Sequence, residues 1–251
     1  MRLIAAAKLR SAGILILLVL LGTLCTAIAF LVLLYLAFPA WHAIRLRQAS
    51  ALCEDRLLRI GQALRTYEQT YHSLPPAFVL GKDGKPAHSW RVLILPQLGR
   101  EDLYRLYDFE QPWDSSRNSE LNARMPEVFA CPSDADAASN GETSYAVLVG
   151  PRTAFPGNSA RRLSDISDPL SDTLLVAESA ATGRSWLEPS DIDLRVTNLS
   201  VNARGKGGIR GAHPEGARIL MADGQVRRLD KSTPPELVNA MTTIDGDEPV
   251  R

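Results

Sequence analysis

Apolar positions fill the first part of the chain without a break. No Asp, Glu, Lys or Arg lies between Arg10 and Arg45, and residues 12–38 are almost wholly Leu, Ile, Val, Ala and Phe. At about 1.5 Å per residue such a stretch makes a helix of about 40 Å, longer than the roughly 30 Å hydrocarbon core of a bilayer. The pattern predicts a short basic segment (1–10), then a transmembrane signal anchor over 11–41 with residues 12–38 in lipid. Pro39 removes one helical hydrogen bond and is expected to kink the helix. Tyr35 and Trp41 suit the interfacial aromatic belt. A cleaved signal peptide is the rival reading, because Ala27-Ile28-Ala29 has the A-x-A form. The apolar run continues to Phe38, past the 7–15 residues of a signal h-region, which favours an uncleaved anchor.

With no loop signal between them, a second pattern follows over residues 42–73. Cys53, Leu57, Ile60, Leu64, Tyr67 and Tyr71 recur at alternating steps of four and three, flanked by Glu54, Asp55, Arg56, Arg59, Arg65 and Glu68. That is one apolar stripe on a water-facing helix. It covers few heptads and stops at Pro75-Pro76, so packing on the chain's own sheet is expected over a coiled coil.

Residues 74–133 carry no sustained period. Gly81-Lys82-Asp83-Gly84 is a turn signal, and 89–98 and 102–107 read as short helical pieces. Residues 143–149 and 173–177 are β-rich runs between polar or Gly/Pro segments. Residues 217–222 and 225–229 flank Asp223-Gly224, a pair suited to a type I′ turn, and predict a hairpin. Thr233-Pro234-Pro235-Glu236 predicts a capped helix running to about Met241, before a polar tail at 243–251. The fold class is α+β: a long N-terminal helix, transmembrane then amphipathic, packed on an antiparallel sheet with irregular insertions, residues 74–242 forming the domain.

Charge and cysteine content narrow the function classes. The 28 basic and 28 acidic side chains cancel, and with Arg2, Lys8 and Arg10 set aside 25 basic remain against 28 acidic. Nothing in that balance points to nucleic acid. Basic residues flank the anchor almost evenly, so the positive-inside rule leaves its orientation open. Three cysteines are too few for a disulfide scaffold and match no CxxC metal site. Cys25 lies in the apolar run, whereas Cys53 and Cys131 could form a disulfide in an oxidising compartment.

Candidate chemistry is sparse. Gly205-Lys206-Gly207-Gly208 lacks the spacing and the following Ser or Thr of a phosphate-binding loop. Asp165, Asp168 and Asp172, interleaved with Ser167 and Ser171, form an oxygen-rich loop that could hold calcium, although such side chains commonly make turns. Glu178, His213 and Asp223 offer one residue each of three acid–base or metal-ligand types, and His213 before Pro214 could also bond locally. Trp90, Trp113, Tyr104, Tyr107 and Phe109 supply aromatic bulk, read as packing anchors.

Taken in order, several blocks resemble a large bacterial family, domain of unknown function fifteen-fifty-nine. They are Cys53, residues 57–64, Tyr67, Tyr71, Leu74-Pro75-Pro76, residues 89–96, Pro112-Trp113-Asp114-Ser115, Met125-Pro126, Cys131-Pro132-Ser133 and residues 150–157. Glu178, Trp186, Glu188-Pro189-Ser190-Asp191 and a terminal signature, His213 followed after nine residues by Asp223-Gly224, complete the set. The resemblance implies a pilin-like or pseudopilin-like fold with the globular part outside the cytoplasmic membrane, and it implies no reaction. Pilin-like members carry G-F-T-L-x-E at the start of the helix. Here Ser11-Ala12-Gly13-Ile14-Leu15-Ile16 takes that place, with no glutamate in the apolar run, so an anchored domain is expected in place of a filament subunit.

The functional expectation is a single-pass envelope protein, N-terminus inside, that acts structurally or by binding envelope or pilin-like partners. A metal-assisted hydrolase using Glu178, His213 and Asp223 is one alternative. A small-ligand or glycan-binding module with a pocket lined by Trp90, Trp113 and Trp186 is another.

Overall fold

In the computed structural model, residues 2–203, 207–213 and 215–246 are described, with side chains from Leu20 onward. The chain divides into two units, residues 1–48 and 49–251. Helix α1 (Arg2–Tyr71) supplies the described part of the first unit and enters the second.

In the first unit the helix is long and apolar enough to cross a membrane, with a mean hydropathy of 2.4 and none of that window buried. A signal sequence near the N-terminus meets the same description. Leu31, Leu33, Leu36 and Phe38 are all exposed. Leaving each such side chain in water forfeits about 1.5–3 kcal/mol of burial, so the stretch is composed for apolar surroundings. The Thr23 and Thr26 hydroxyls donate to the carbonyls of Leu20 and Thr23 at 2.9 Å, which keeps their polar groups within the helix. Helical structure continues through Pro39. The Arg45 guanidinium lies over the Trp41 ring at 4.9 Å.

In the second unit the stripe of α1 is buried as its spacing requires, with Cys53, Leu57, Ile60 and Leu64 at 0–1 % exposure. The stripe ends earlier than expected: Tyr67 is half-buried and Tyr71, 55 % exposed, lies against it with ring centroids 4.4 Å apart and the rings tilted by 40°. A short hairpin follows, β1 (Phe78–Leu80) with β2 (Pro86–Ser89), around the turn at 81–84. Only three residue pairs join it, too few for a period-two signal, and the sequence reads there as irregular. Next come α2 (Trp90–Leu93), α3 (Glu101–Leu106), α4 (Ser116–Ser119) and α5 (Ala137–Asn140), with 3-10 turns between them. Ser89 belongs to β2 and not to the helix: its hydroxyl accepts from Arg91 N as the N-cap of α2.

The main sheet is built from β3 (Tyr145–Val149), β4 (Leu174–Glu178), β5 (Ile192–Asp193), β6 (Ala217–Met221) and β7 (Val226–Leu229), in the order β5-β3-β4-β6-β7. All neighbours are antiparallel except β3 and β5, so the sheet is mixed. A two-residue strand such as β5 cannot announce itself by pattern. The β6–β7 turn also differs from the expected type. Gly224 N donates to Met221 O at 3.0 Å and only Gly224 has a positive φ, 90°, whereas a type I′ turn needs two such residues. The Asp223 carboxylate accepts from Gln225 N at 2.9 Å and holds this three-residue loop.

Alternation sorts the sheet's residues to two faces. Tyr145, Val147, Val176 and Leu220 pack with Cys53, Leu57 and Ile60 of α1. Ala146, Leu148, Ala177, Ile219 and Met221 pack with Val201, Ile209 and the last helix, α6 (Pro235–Thr242). With both faces covered, residues 174–177 of β4 and 219–221 of β6 read as continuous apolar runs. Pro234 is the N-cap of α6, with no side-chain cap bond, so the helix starts without the side-chain cap expected at Thr233-Pro234-Pro235-Glu236.

Candidate functional site

Four buried side chains from four separate segments converge in the second unit. Cys53 belongs to the buried stripe of α1. Glu178 ends β4 directly opposite Tyr145 on β3, and alternation puts it on the same face as Val176, the face under α1. Cys131 lies in a tight turn after the 3-10 segment Glu127–Phe129. Its amide donates to Ser144 Oγ at 2.8 Å and Asp134 N donates to its carbonyl at 2.9 Å. His213 sits just before β6, bridged to Gly216. Gly216 has φ 131°, and a Cβ there would lie 2.0 Å from Leu229 O, so this sharp approach to β6 requires glycine.

The donor atoms of these four residues all lie within 4.8 Å of one another. The Cys53 thiol meets Glu178 Oε1 at 2.6 Å, Cys131 Sγ meets His213 Nε2 at 3.2 Å, and His213 Nε2 is 3.7 Å from Glu178 Oε1. Surrounding groups orient them. Arg218 N donates to Glu178 Oε2 at 2.7 Å, Tyr145 Oη lies 3.1 Å from Cys53 Sγ, and His213 Nδ1 faces Ser133 Oγ at 3.4 Å. None of the four is more than 4 % exposed.

The cluster redistributes protons. The bond from Cys53 draws the Cys131 thiol down to about 5, helped by His213 and the Ser133 amide. The same bond, then burial and Glu178, pushes Cys53 far up. Burial and the neighbouring Cys131 sulfur push Glu178 up to about 7. Burial works against a charged His213, but Cys131 and Glu178 outweigh it and raise its pKa. The site therefore favours a Cys131 thiolate beside a His213 imidazolium, with Cys53 holding its proton. Two thiols, an imidazole and a carboxylate are also a donor set suited to a thiophilic cation.

The structure regroups the sequence candidates. Glu178 and His213 come together, but Asp223 lies in the β6–β7 turn at the far end of β6, where its carbonyl accepts from Arg65. Cys53 and Cys131 are neighbours, both as free thiols. Asp165, Asp168 and Asp172 each serve a different partner: Arg162 N, Gly246 N and the Ser171 hydroxyl with Arg227. Trp90 and Trp186 are fully buried around Phe129, whereas Trp113 borders a cleft of about 470 Å³ with Phe109, Lys82 and Leu80. Gly205, Lys206 and Pro214, and the tail from residue 247, lie outside the described residues. Nothing in the spacing along the chain marks the two cysteines and the Glu178–His213 pair as one group.

A second buried network explains two of the sequence blocks. Asp191 Oδ1 accepts from Arg91 Nη2 at 2.8 Å, from Trp90 Nε1 at 3.2 Å and from Val147 N at 3.0 Å. Arg91, fully buried, also donates to Tyr145 O at 2.7 Å and Ser89 Oγ at 2.9 Å. These contacts tie Ser89-Trp90-Arg91 and Asp191 to β3.

A family model described as SBP_bac_10, protein of unknown function (DUF1559), matches residues 45–154. Within that stretch lie Cys53 and Cys131; Glu178 and His213 fall beyond it. No curated protein and no solved structure matches the chain.

Proposed function

Over residues 45–154 the chain belongs to the DUF1559 family, and on that premise we propose that it is a membrane-anchored envelope protein with a structural or partner-binding role. Residues 12–38 hold it in the cytoplasmic membrane, the N-terminus is inside, and the globular domain faces outward. The apolar, unburied helix of the first unit carries this reading. The outward orientation and the pilin-like character rest on the family resemblance; a long helix whose second part covers a sheet is in keeping with both. Envelope or pilin-like proteins are the expected partners. The hydrolase reading finds support in the approach of His213 to Glu178, but a site no more than 4 % exposed offers a substrate no entry.

The test is fractionation with protease protection. The full-length protein is expected in the alkali-resistant membrane pellet, with its domain digested by protease added to spheroplasts. A soluble mature chain beginning at Phe30, or a domain digested only after lysis, would overturn the proposal.

A further inference from the structure

We propose that Cys53, Cys131, Glu178 and His213 form a closed binding site for one zinc-class divalent ion that staples α1 to the sheet. Zinc takes four ligands tetrahedrally, with bonds of about 2.3 Å to sulfur and about 2.0–2.2 Å to nitrogen and oxygen. The edges of such a tetrahedron are about 3.4–3.8 Å. Two of the donor distances, 3.2 and 3.7 Å, already approach this span. Another, 2.6 Å between Cys53 and Glu178, needs to open by about 1 Å, and the remaining pairs lie within 4.8 Å, so side-chain adjustment suffices. Hard cations are disfavoured, since calcium and magnesium seek oxygen donors in larger number.

The surroundings match a ligand set. Metal-bound imidazoles use their second nitrogen to fix the ring, and here Ser133 Oγ faces His213 Nδ1. The free Glu178 oxygen is held by the Arg218 amide. Two thiolates and a carboxylate around a dication leave one net negative charge. The Arg218 guanidinium, 7 % exposed, has Nη1 without a hydrogen-bond partner among the described residues and Nη2 3.9 Å from Glu215 Oε2; it lies near enough to His213 to disfavour its protonation and contributes positive charge beside the site. Four protein donors and no solvent opening make this a structural centre, since a catalytic zinc keeps one position free. A Cys53–Cys131 disulfide is the competing use of the sulfurs, but it leaves the buried Glu178 and His213 without a role.

The test uses the full-length protein, purified in detergent under reducing conditions without a metal-affinity step. Metal analysis is expected to find about one zinc per chain. Exchange for Co²⁺ should give the intense visible bands of a tetrahedral ion and a thiolate charge-transfer band. Cys131→Ser and His213→Ala should lose the ion, Cys25→Ser should retain it, and Ser133→Ala should weaken it about 10-fold. If the ligand variants fail to fold, the wild-type stoichiometry and cobalt spectrum still decide. Wild-type protein that takes up neither ion, ligand variants that retain it fully, or a Cys53–Cys131 disulfide in protein alkylated directly from membranes would each overturn the assignment.

Discussion

Asp191 shows how much a single carboxylate can organise. Its one oxygen receives an indole, a guanidinium and a backbone amide, and the Arg91 it neutralises is wholly enclosed. Removing one partner of a buried ion pair leaves the other charge uncompensated, at a cost of about 3–5 kcal/mol. Asp191→Ala should lower stability by that order, read from the denaturant midpoint of the detergent-solubilised protein. An effect below about 1 kcal/mol, the range of a surface pair, would contradict the network's role. His88 gives a pH signature. Its buried ring faces Tyr107 Oη at 3.0 Å, and burial lowers its pKa. As pH falls through about 6.5 the unfolded chain takes up a proton that the folded ring still refuses, so this contribution to stability is lost on acidification. Thermal midpoints at pH 7 and pH 5 should fall less in His88→Gln than in wild type; equal falls would exclude His88 as a source.

At the scale of elements, legibility followed length and period. The buried turns of α1, the runs of β3 and β4 and the β6–β7 hairpin were readable, because each repeats a side-chain pattern or flanks a turn dipeptide. The β1–β2 hairpin and β5 were not, since three residue pairs and a two-residue strand carry no period. The approach to β6 depends on Gly216, whose φ of 131° and contact with Leu229 O exclude a side chain. Gly216→Ala should cost at least about 1–3 kcal/mol and displace His213, detectable as a lower melting temperature. An unchanged melting temperature would show that the bridge between His213 and Gly216 can relax.

Across the whole molecule, the site was legible only in fragments. The sequence offered Cys53 with Cys131 as a disulfide and Glu178 with His213 and Asp223 as acid–base groups. Residue type singled out each of the four clustered side chains, but distance through space decided the grouping and left Asp223 outside it. The same sequence separations govern assembly in time. Cys53 precedes Glu178 by 125 residues and Cys131 precedes His213 by 82, so no fragment emerging during synthesis holds the full set until β6 is about to form. Loop closure over such spans is slow relative to local helix formation. Both sulfurs therefore spend the interval before closure as unprotected thiols, and mispairing in that window competes with the native arrangement. Yield of correctly folded chain should thus depend on the redox conditions met by the nascent protein as well as on the stability of the finished one.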